Sequence, residues 1–420
     1  MPVHKNGEIR HYSRIIIKIY MDLRSHSPYP LLRHGILNSY PSLSKNIKTD
    51  VAIIGAGISG VLAAWYLHYA GFKVTVLDRR HVAMGSTSAS TSLLQYEIDT
   101  PLRELIDKVG QENAIKSYQL CCDAIYKIQA ICKKLNEPDL FQKKSSLQYA
   151  SFKKDKKLLY SEYIQRSKAG IKVHWLESEE LKEKYNIIKP GAILSPDGGE
   201  LDVYKMTHAM LKRCVKGGME LFDHTEVTDI KHLQKGVELT TAAGNTIKAR
   251  WLIMACGYES QQYISKKIQY LHSTYSIASE PYEQKDFWYQ NSLIWETAMP
   301  YLYLRTTNDK RIIIGGKDTD FYNPKKRDEL IPVKTKALEK EFKKLFPAIP
   351  FKTDFSWAGT FASTKDGLPY IGSIPERPHT FFALGFGGNG ITFSVIAAEI
   401  IKRKLLNKAN KYDNIFSFTR

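Results

Sequence analysis

The chain of 420 residues is 43% hydrophobic and 25% charged, proportions of a globular protein large enough for two cores, which excludes disorder on a large scale. No apolar run approaches the roughly 20 residues that cross a bilayer, so no transmembrane segment is expected. The formal net charge of +18 raises polyanions as partners, but much of the excess lies in Lys-rich stretches at 153–157 and 334–344 that read as solvated helix faces, so nucleic acid is not expected to bind.

Residues 1–48 read as an N-terminal extension. Basic residues precede a small apolar cluster at 15–17, yet the cluster is shorter than a signal core and no small-residue cleavage site follows. Met21 is a candidate start, and residues 1–20 are expected to be poorly ordered. The apolar run 51–54 then has the character of a buried parallel strand, and Gly55, Gly57 and Gly60 follow in GxGxxG spacing. Gly55 permits a tight turn, Gly57 lets backbone approach a pyrophosphate, and Gly60 allows helix to pack on strand. Ile58 and Ser59 open a helix whose N-terminal N–H groups face the phosphates. The helix ends near Gly71, a second strand covers 73–77, and Asp78 stands where a carboxylate accepts ribose hydroxyls, so the unit reads as a dinucleotide site. Arg79 is placed with it, although Arg79 and Arg80 also read as surface charges or as a site for the extra phosphate of a phosphorylated nicotinamide cofactor.

A hydroxyl-rich loop at 85–92 follows, with Ser86, Thr87, Ser90 and Thr91 suited to close approach of a cofactor, or to an ordinary polar loop. Sequence to about 135 is largely helical, and Cys121, Cys122 and Cys132 fall at core spacing within it. The five cysteines are odd in number and lack a CxxC pair, so neither a disulfide framework nor a zinc site is signalled, no metal is expected, and a reducing cytoplasm fits best. Asp197, Gly198 and Gly199 read as a turn before a helix at about 203–216. A β-meander over 226–230, 237–241 and 246–254 contains Val227 and closes in the turn Ala255, Cys256 and Gly257, a second approach to the cofactor. A hairpin with arms 301–307 and 311–316 belongs to a second sheet, and a charged helix runs to about 346. The strand 381–384, the glycine turn 385–391 and an apolar helix to about 406 end the pattern, presenting another helix N-terminus suited to negative charge.

Five segments, GAGISG with Asp78, GSTSASTSLLQYEID, WLIMACGY, KDGLPYIG and GFGGNGITFS, together resemble the D-amino acid oxidase (DAO) superfamily, in its branch with glycine oxidase, sarcosine oxidase and γ-glutamylputrescine oxidase. The resemblance covers about residues 45–405. It implies an α/β and α+β fold, with a Rossmann-type FAD-binding domain assembled from discontinuous segments (49–95, 190–260 and 355–410) and an antiparallel-sheet substrate domain (96–189 and 261–354). Val227, Ala255, Cys256 and Gly257 join the cofactor set, and Gly387, Gly388, Asn389, Gly390, Ile391 and Thr392 match the turn beside the pyrimidine end of the flavin. The hairpin belongs by resemblance to the roof over the flavin. There Tyr301 and Tyr303 can wall a substrate and Arg305, on the same strand face, can receive a carboxylate; all three also read as sheet packing.

The implied activity is oxidation of an amine or amino acid at its C–N bond, with dioxygen or a quinone as final acceptor. Glycine oxidase-like sequences carry an Arg where this chain has Phe361, which weakens the case for a small α-amino acid. Sarcosine oxidases tether their flavin through a cysteine near 357–372, where this chain has none, so FAD is expected to be non-covalent. Two other functions stay open: a flavoenzyme acting on a modified nucleoside in tRNA, supported by the basic charge, and a flavin-binding protein without turnover.

Overall fold

The computed structural model describes residues 20–284, 287–408 and 410–420. Two sheets organise it. In the first, Ile47–Ile54 lies between Val74–Leu77 and Thr246–Met254, parallel to both, with Val51 opposite Val74 on one side and Trp251 on the other. Parallel strands bury both faces, and Val51, Ala52 and Ile53 are fully buried, as the apolar run requires. The path extends through Glu220–Phe222 at one edge and through Thr380–Leu384 and Tyr370–Ser373 at the other, with the hairpin of Val227–Leu233 and Gly236–Thr241 hung on Thr246–Met254.

The helices Ile58–His68, Gln111–Leu135, Val203–Lys216 and Gly390–Leu405 share the largest core with this sheet. The glycine spacing explains the first crossing. A Cβ on Gly60 would strike the Gly55 carbonyl oxygen, and one on Gly55, held at φ +109°, would strike the carbonyl of Ala255. Ser59 and Ser394, joined hydroxyl to hydroxyl at 2.7 Å, tie the first and last of these helices together. No helix among the described residues is long and apolar enough to cross a membrane.

The second sheet runs Thr353–Ser363, Tyr270–Ser279, Ile312–Thr319, Tyr303–Thr306, Leu293–Glu296, Phe141–Tyr149, Gly191–Leu201 and Leu93–Gln95, with His174–Glu177 also on Gly191–Leu201. It is antiparallel except where Leu293–Glu296 meets Phe141–Tyr149. The amphipathic helix Ile331–Leu345 covers one face, burying Leu338 and Phe342 with Tyr275, Ile277, Ile312 and Ile314.

Three features differ from the sequence reading. Asp197, Gly198 and Gly199 are interior to the strand Gly191–Leu201, not a turn. Their glycines answer close cross-strand packing, since a Cβ on Gly199 would meet the ring of Phe141 at 2.6 Å and one on Gly198 the Lys144 oxygen at 3.0 Å. Gly191–Leu201 and Thr353–Ser363 hydrogen-bond within the second sheet, so the sheet boundary falls later than residues 190 and 355. The N-terminal extension, expected to be poorly ordered through residue 20, packs on the body from Tyr20 onward. Thr360 N–H donates to Leu23 O, Ser25 N–H to Ala358 O, and Arg24 bridges Gly359, covering the edge of Thr353–Ser363. The expectation for residues 1–19 lies outside the described residues.

Candidate active site

A long cleft runs between the two sheets. At one end, Asp78 terminates its strand with a carboxylate held by two backbone donors, Ala56 N–H at 2.8 Å and Arg80 N–H at 2.9 Å. Burial pushes this carboxyl up, opposed by those two donors and by the flanking arginines. Arg79 lines the cleft, but its charge is paired with Glu259 at 2.6 Å and lies 4.2 Å from the ring of Tyr20, which argues against an extra-phosphate site there. Tyr20 itself donates to Glu226 at 2.7 Å, so the start of the described chain belongs to the cleft wall.

The hydroxyl-rich loop folds into the one-turn helix Ser86–Ala89 beneath the glycine turn. Thr87 Oγ1 accepts the N–H of Ile58 at 3.0 Å, which locks the loop to the helix N-terminus and leaves the hydroxyl proton free to donate. From the opposite sheet, Trp357 donates its indole N–H to Ala89 O at 2.9 Å. The C-terminal turn closes the far end. Gly388 N–H donates to Asp99 at 2.9 Å, and the Asn389 amide donates to Gln95 O and Glu97 O, so the loop after Thr91 and the last glycine turn are one unit.

Every sequence-predicted cofactor residue from Gly55 to Thr392 lines this cleft except Gly60, whose place is the helix–strand contact. Tyr301 and Tyr303 line it too. Tyr301 donates to Asp99 at 3.0 Å, and Tyr303 lies across Gly315, where any Cβ would collide with its ring. Burial pushes both phenols, and that of Tyr258, above the ordinary tyrosine range, so they remain neutral donors at physiological pH.

Arg305 does not join them. It shares the strand face of Tyr303, but the cleft stops short of it at Thr91, whose carbonyl accepts Arg305 Nε–H at 2.5 Å. Its Nη1 donates to Thr306 O at 3.0 Å and lies 3.9 Å from Glu200. Strand alternation puts Arg305 on the face of Tyr303, but the cavity ends before reaching it. The side chain expected to clamp a carboxylate thus lies outside the cleft lining and contacts the end of the hydroxyl-rich loop.

Asp318 is the residue the sequence reading missed. Ser273 pairs with Thr319 and Tyr275 with Gly316, so one extra residue bulges from Ile312–Thr319, and Lys317 takes up the left-handed conformation at φ +56°. A bulge re-aims side chains, and Asp318 enters the cleft beside Thr274, Tyr301 and Tyr303. Burial raises its carboxyl to about 6. The paired glycines of GGKDT were the available signal, since glycine within a strand marks a bulge or a close approach. Phe361 completes the wall, its ring 5.1 Å from that of His272.

The family model described as FAD dependent oxidoreductase, DAO, matches residues 50–403. Similar proteins include a probable oxidoreductase, OrdL, of Haemophilus influenzae, 24% identical over 384 residues that cover 87% of this chain and 85% of that protein. Glycine oxidase of Bacillus licheniformis is 25% identical over 381 residues, covering 88% and 96% of the two chains. The crystal structure of glycine oxidase from Geobacillus kaustophilus superposes with a TM-score of 0.74 at 22% identity, over 89% of this chain and 99% of that one. These likenesses agree with the two-sheet fold.

The cleft fits FAD on its own geometry. Two helix N-termini, at Ile58 and Gly390, open on it, and Arg80, beside Gly85, keeps a buried Nε with no hydrogen-bond partner among the described residues. Cys256, at the Asp78 end, is pushed up to about 12 by burial and donates to Ile54 O, so it is a protonated thiol and no nucleophile toward the cofactor.

Proposed function

Because the chain belongs to the DAO family of FAD-dependent oxidoreductases, we propose that it oxidises the C–N bond of an amine or amino acid to an imine, which water hydrolyses. FAD, when bound, would supply the two-electron acceptor for the hydride of the substrate C–H bond. The observation that carries the reading is convergence: the dinucleotide turn, the hydroxyl-rich loop and the C-terminal glycine turn meet in one cleft under the tyrosine-lined sheet.

The protein's part is orientation and electrostatics. Asp78 and the Ile58–His68 N-terminus would hold the adenosine and pyrophosphate end, and Ser86, Thr87, Ser90 and Thr91 would meet the middle of the cofactor. The N-terminus of Gly390–Leu405 favours negative charge at the far end. Tyr301, Tyr303 and Phe361 exclude water and fix the substrate carbon. No side-chain nucleophile is required, since the cofactor would carry the redox chemistry. The final acceptor is dioxygen or a quinone, and the free cysteines suit a reducing compartment such as the cytoplasm.

The test is an anaerobic screen of amines and amino acids against the yellow, FAD-loaded protein. Loss of the oxidised flavin absorbance with some members of the panel is the expected outcome. Full retention of colour with all of them, in protein that is folded and loaded, would overturn the proposal in favour of flavin binding without turnover.

A further inference from the structure

The substrate end of the cleft is lined by Thr274, Ser276, Tyr301, Tyr303, Asp318 and Phe361, and the charge among them is the carboxylate of Asp318. The extra residue in Ile312–Thr319 is what delivers it, and the left-handed Lys317 marks the strain accepted to do so. Asp318 Oδ1 is buried without a hydrogen-bond partner among the described residues. The basic side chains around it are engaged elsewhere. Lys334 Nζ donates to Lys317 O at 2.6 Å, Lys317 Nζ meets Glu341 at 3.2 Å, and His272 meets Asp320 at 3.0 Å. Asp99, committed to Tyr301 and Gly388, adds a second negative charge nearby.

A buried acceptor flanked by aromatic rings matches an ammonium ion, by charge-assisted hydrogen bonding and cation–π attraction together. It repels a carboxylate. With Arg305 turned away and Phe361 in the opposing wall, no cation among these lining residues is left to receive one. The nitrogen bonded to the reacting carbon must also be neutral to release its electrons, whereas an ionised Asp318 favours a protonated nitrogen.

Resting on the amine-oxidation reading, we infer that Asp318 binds a second, non-reacting ammonium group, so that the substrate class is an aliphatic diamine or a longer polyamine. The paired charge fixes which nitrogen sits at Asp318 and which is oxidised.

The experiment is calorimetric binding of 1,4-diaminobutane and 4-aminobutanoate to the FAD-loaded protein under anaerobic conditions, in wild type and Asp318→Asn, with kcat/KM for the diamine and for n-butylamine measured alongside. Wild type should bind the diamine at least about 10-fold more tightly than the amino acid, the scale of one charge-assisted hydrogen bond. Asp318→Asn should erase that preference and lower kcat/KM for the diamine more than for n-butylamine. The groups facing Asp318 are Asp99, His272, Lys334, Tyr301 and Tyr303. Protonation of Asp318 should weaken diamine binding as pH falls through about 6, a dependence that Asp318→Asn should lose.

Equal or tighter binding of 4-aminobutanoate by wild type would overturn the inference without any variant, as would absence of binding by either compound. A preference that survives in Asp318→Asn would do the same. Monoamines or amino acids that bleach the flavin while no diamine preference exists would leave the amine-oxidation reading standing alone. Diamine binding without bleaching by any amine would reverse that outcome.

Discussion

A carboxylate held in a half-buried cleft for a ligand's benefit should cost the ligand-free protein stability, and Asp318→Asn measures that cost. Its carboxyl rises from 3.8 to about 6 in the folded state, and the first cause is burial. Between these values the unfolded chain has already released its proton while the folded one keeps it, so stability falls as pH rises through this window and levels off above about 6. A shift of this size corresponds to an upper limit of about 3 kcal/mol at neutral pH, at about 1.4 kcal/mol per unit. Residual solvent reduces it to about 1–2 kcal/mol. The Asn variant keeps the shape and an acceptor for Thr274 without the charge. It should therefore be more stable than wild type, by a margin about 1 kcal/mol larger at pH 7.5 than at pH 5. Denaturant unfolding of both proteins at the two pH values, without amine, is the assay. A variant less stable than wild type at pH 7.5, or a difference independent of pH, would refute the account of Asp318 as an unpaired, desolvated charge.

Asp78→Ala should weaken FAD binding by roughly 1–3 kcal/mol, the scale of a charge-assisted hydrogen bond to ribose. An unchanged FAD dissociation constant would assign Asp78 only to holding Ala56 and Arg80. Gly388→Val should abolish FAD retention, because even a Cβ would stand 3.0 Å from Asp99 and 3.1 Å from the Tyr301 hydroxyl; normal reconstitution with excess FAD would place the turn away from the cofactor. Arg305→Lys should lower kcat/KM by the same factor for substrates with and without a carboxylate, since its guanidinium supports Thr91 rather than the substrate. A loss confined to the carboxylate-bearing substrate would restore the clamp.

The cofactor half of the site was legible because its determinants are local. Gly55, Gly57, Gly60 and Asp78 lie within one strand–turn–helix–strand unit, and backbone sterics there dictate residue type. The C-terminal turn at Gly387–Asn389 was legible for the same reason. The substrate half is set by long-range register. Arg305 was placed on the correct face by alternation, but the point at which the cleft ends depends on Thr91, 214 residues earlier. Asp318 was hidden because strict alternation fails at a bulge, and the bulge shows only when Ile312–Thr319 is laid against Tyr270–Ser279. Gly198 and Gly199 misled in the opposite direction, since close packing against Phe141 and Lys144 gives a strand the composition of a turn.

The most direct test of the central claim is product stoichiometry in a single anaerobic turnover. FAD-loaded protein is mixed with a limiting amine that bleaches it, and carbonyl product is counted against flavin reduced. One carbonyl per flavin is the expected result, because each C–N oxidation delivers two electrons to the cofactor and its imine hydrolyses to one carbonyl. Bleaching with no carbonyl formed would contradict oxidation at the C–N bond.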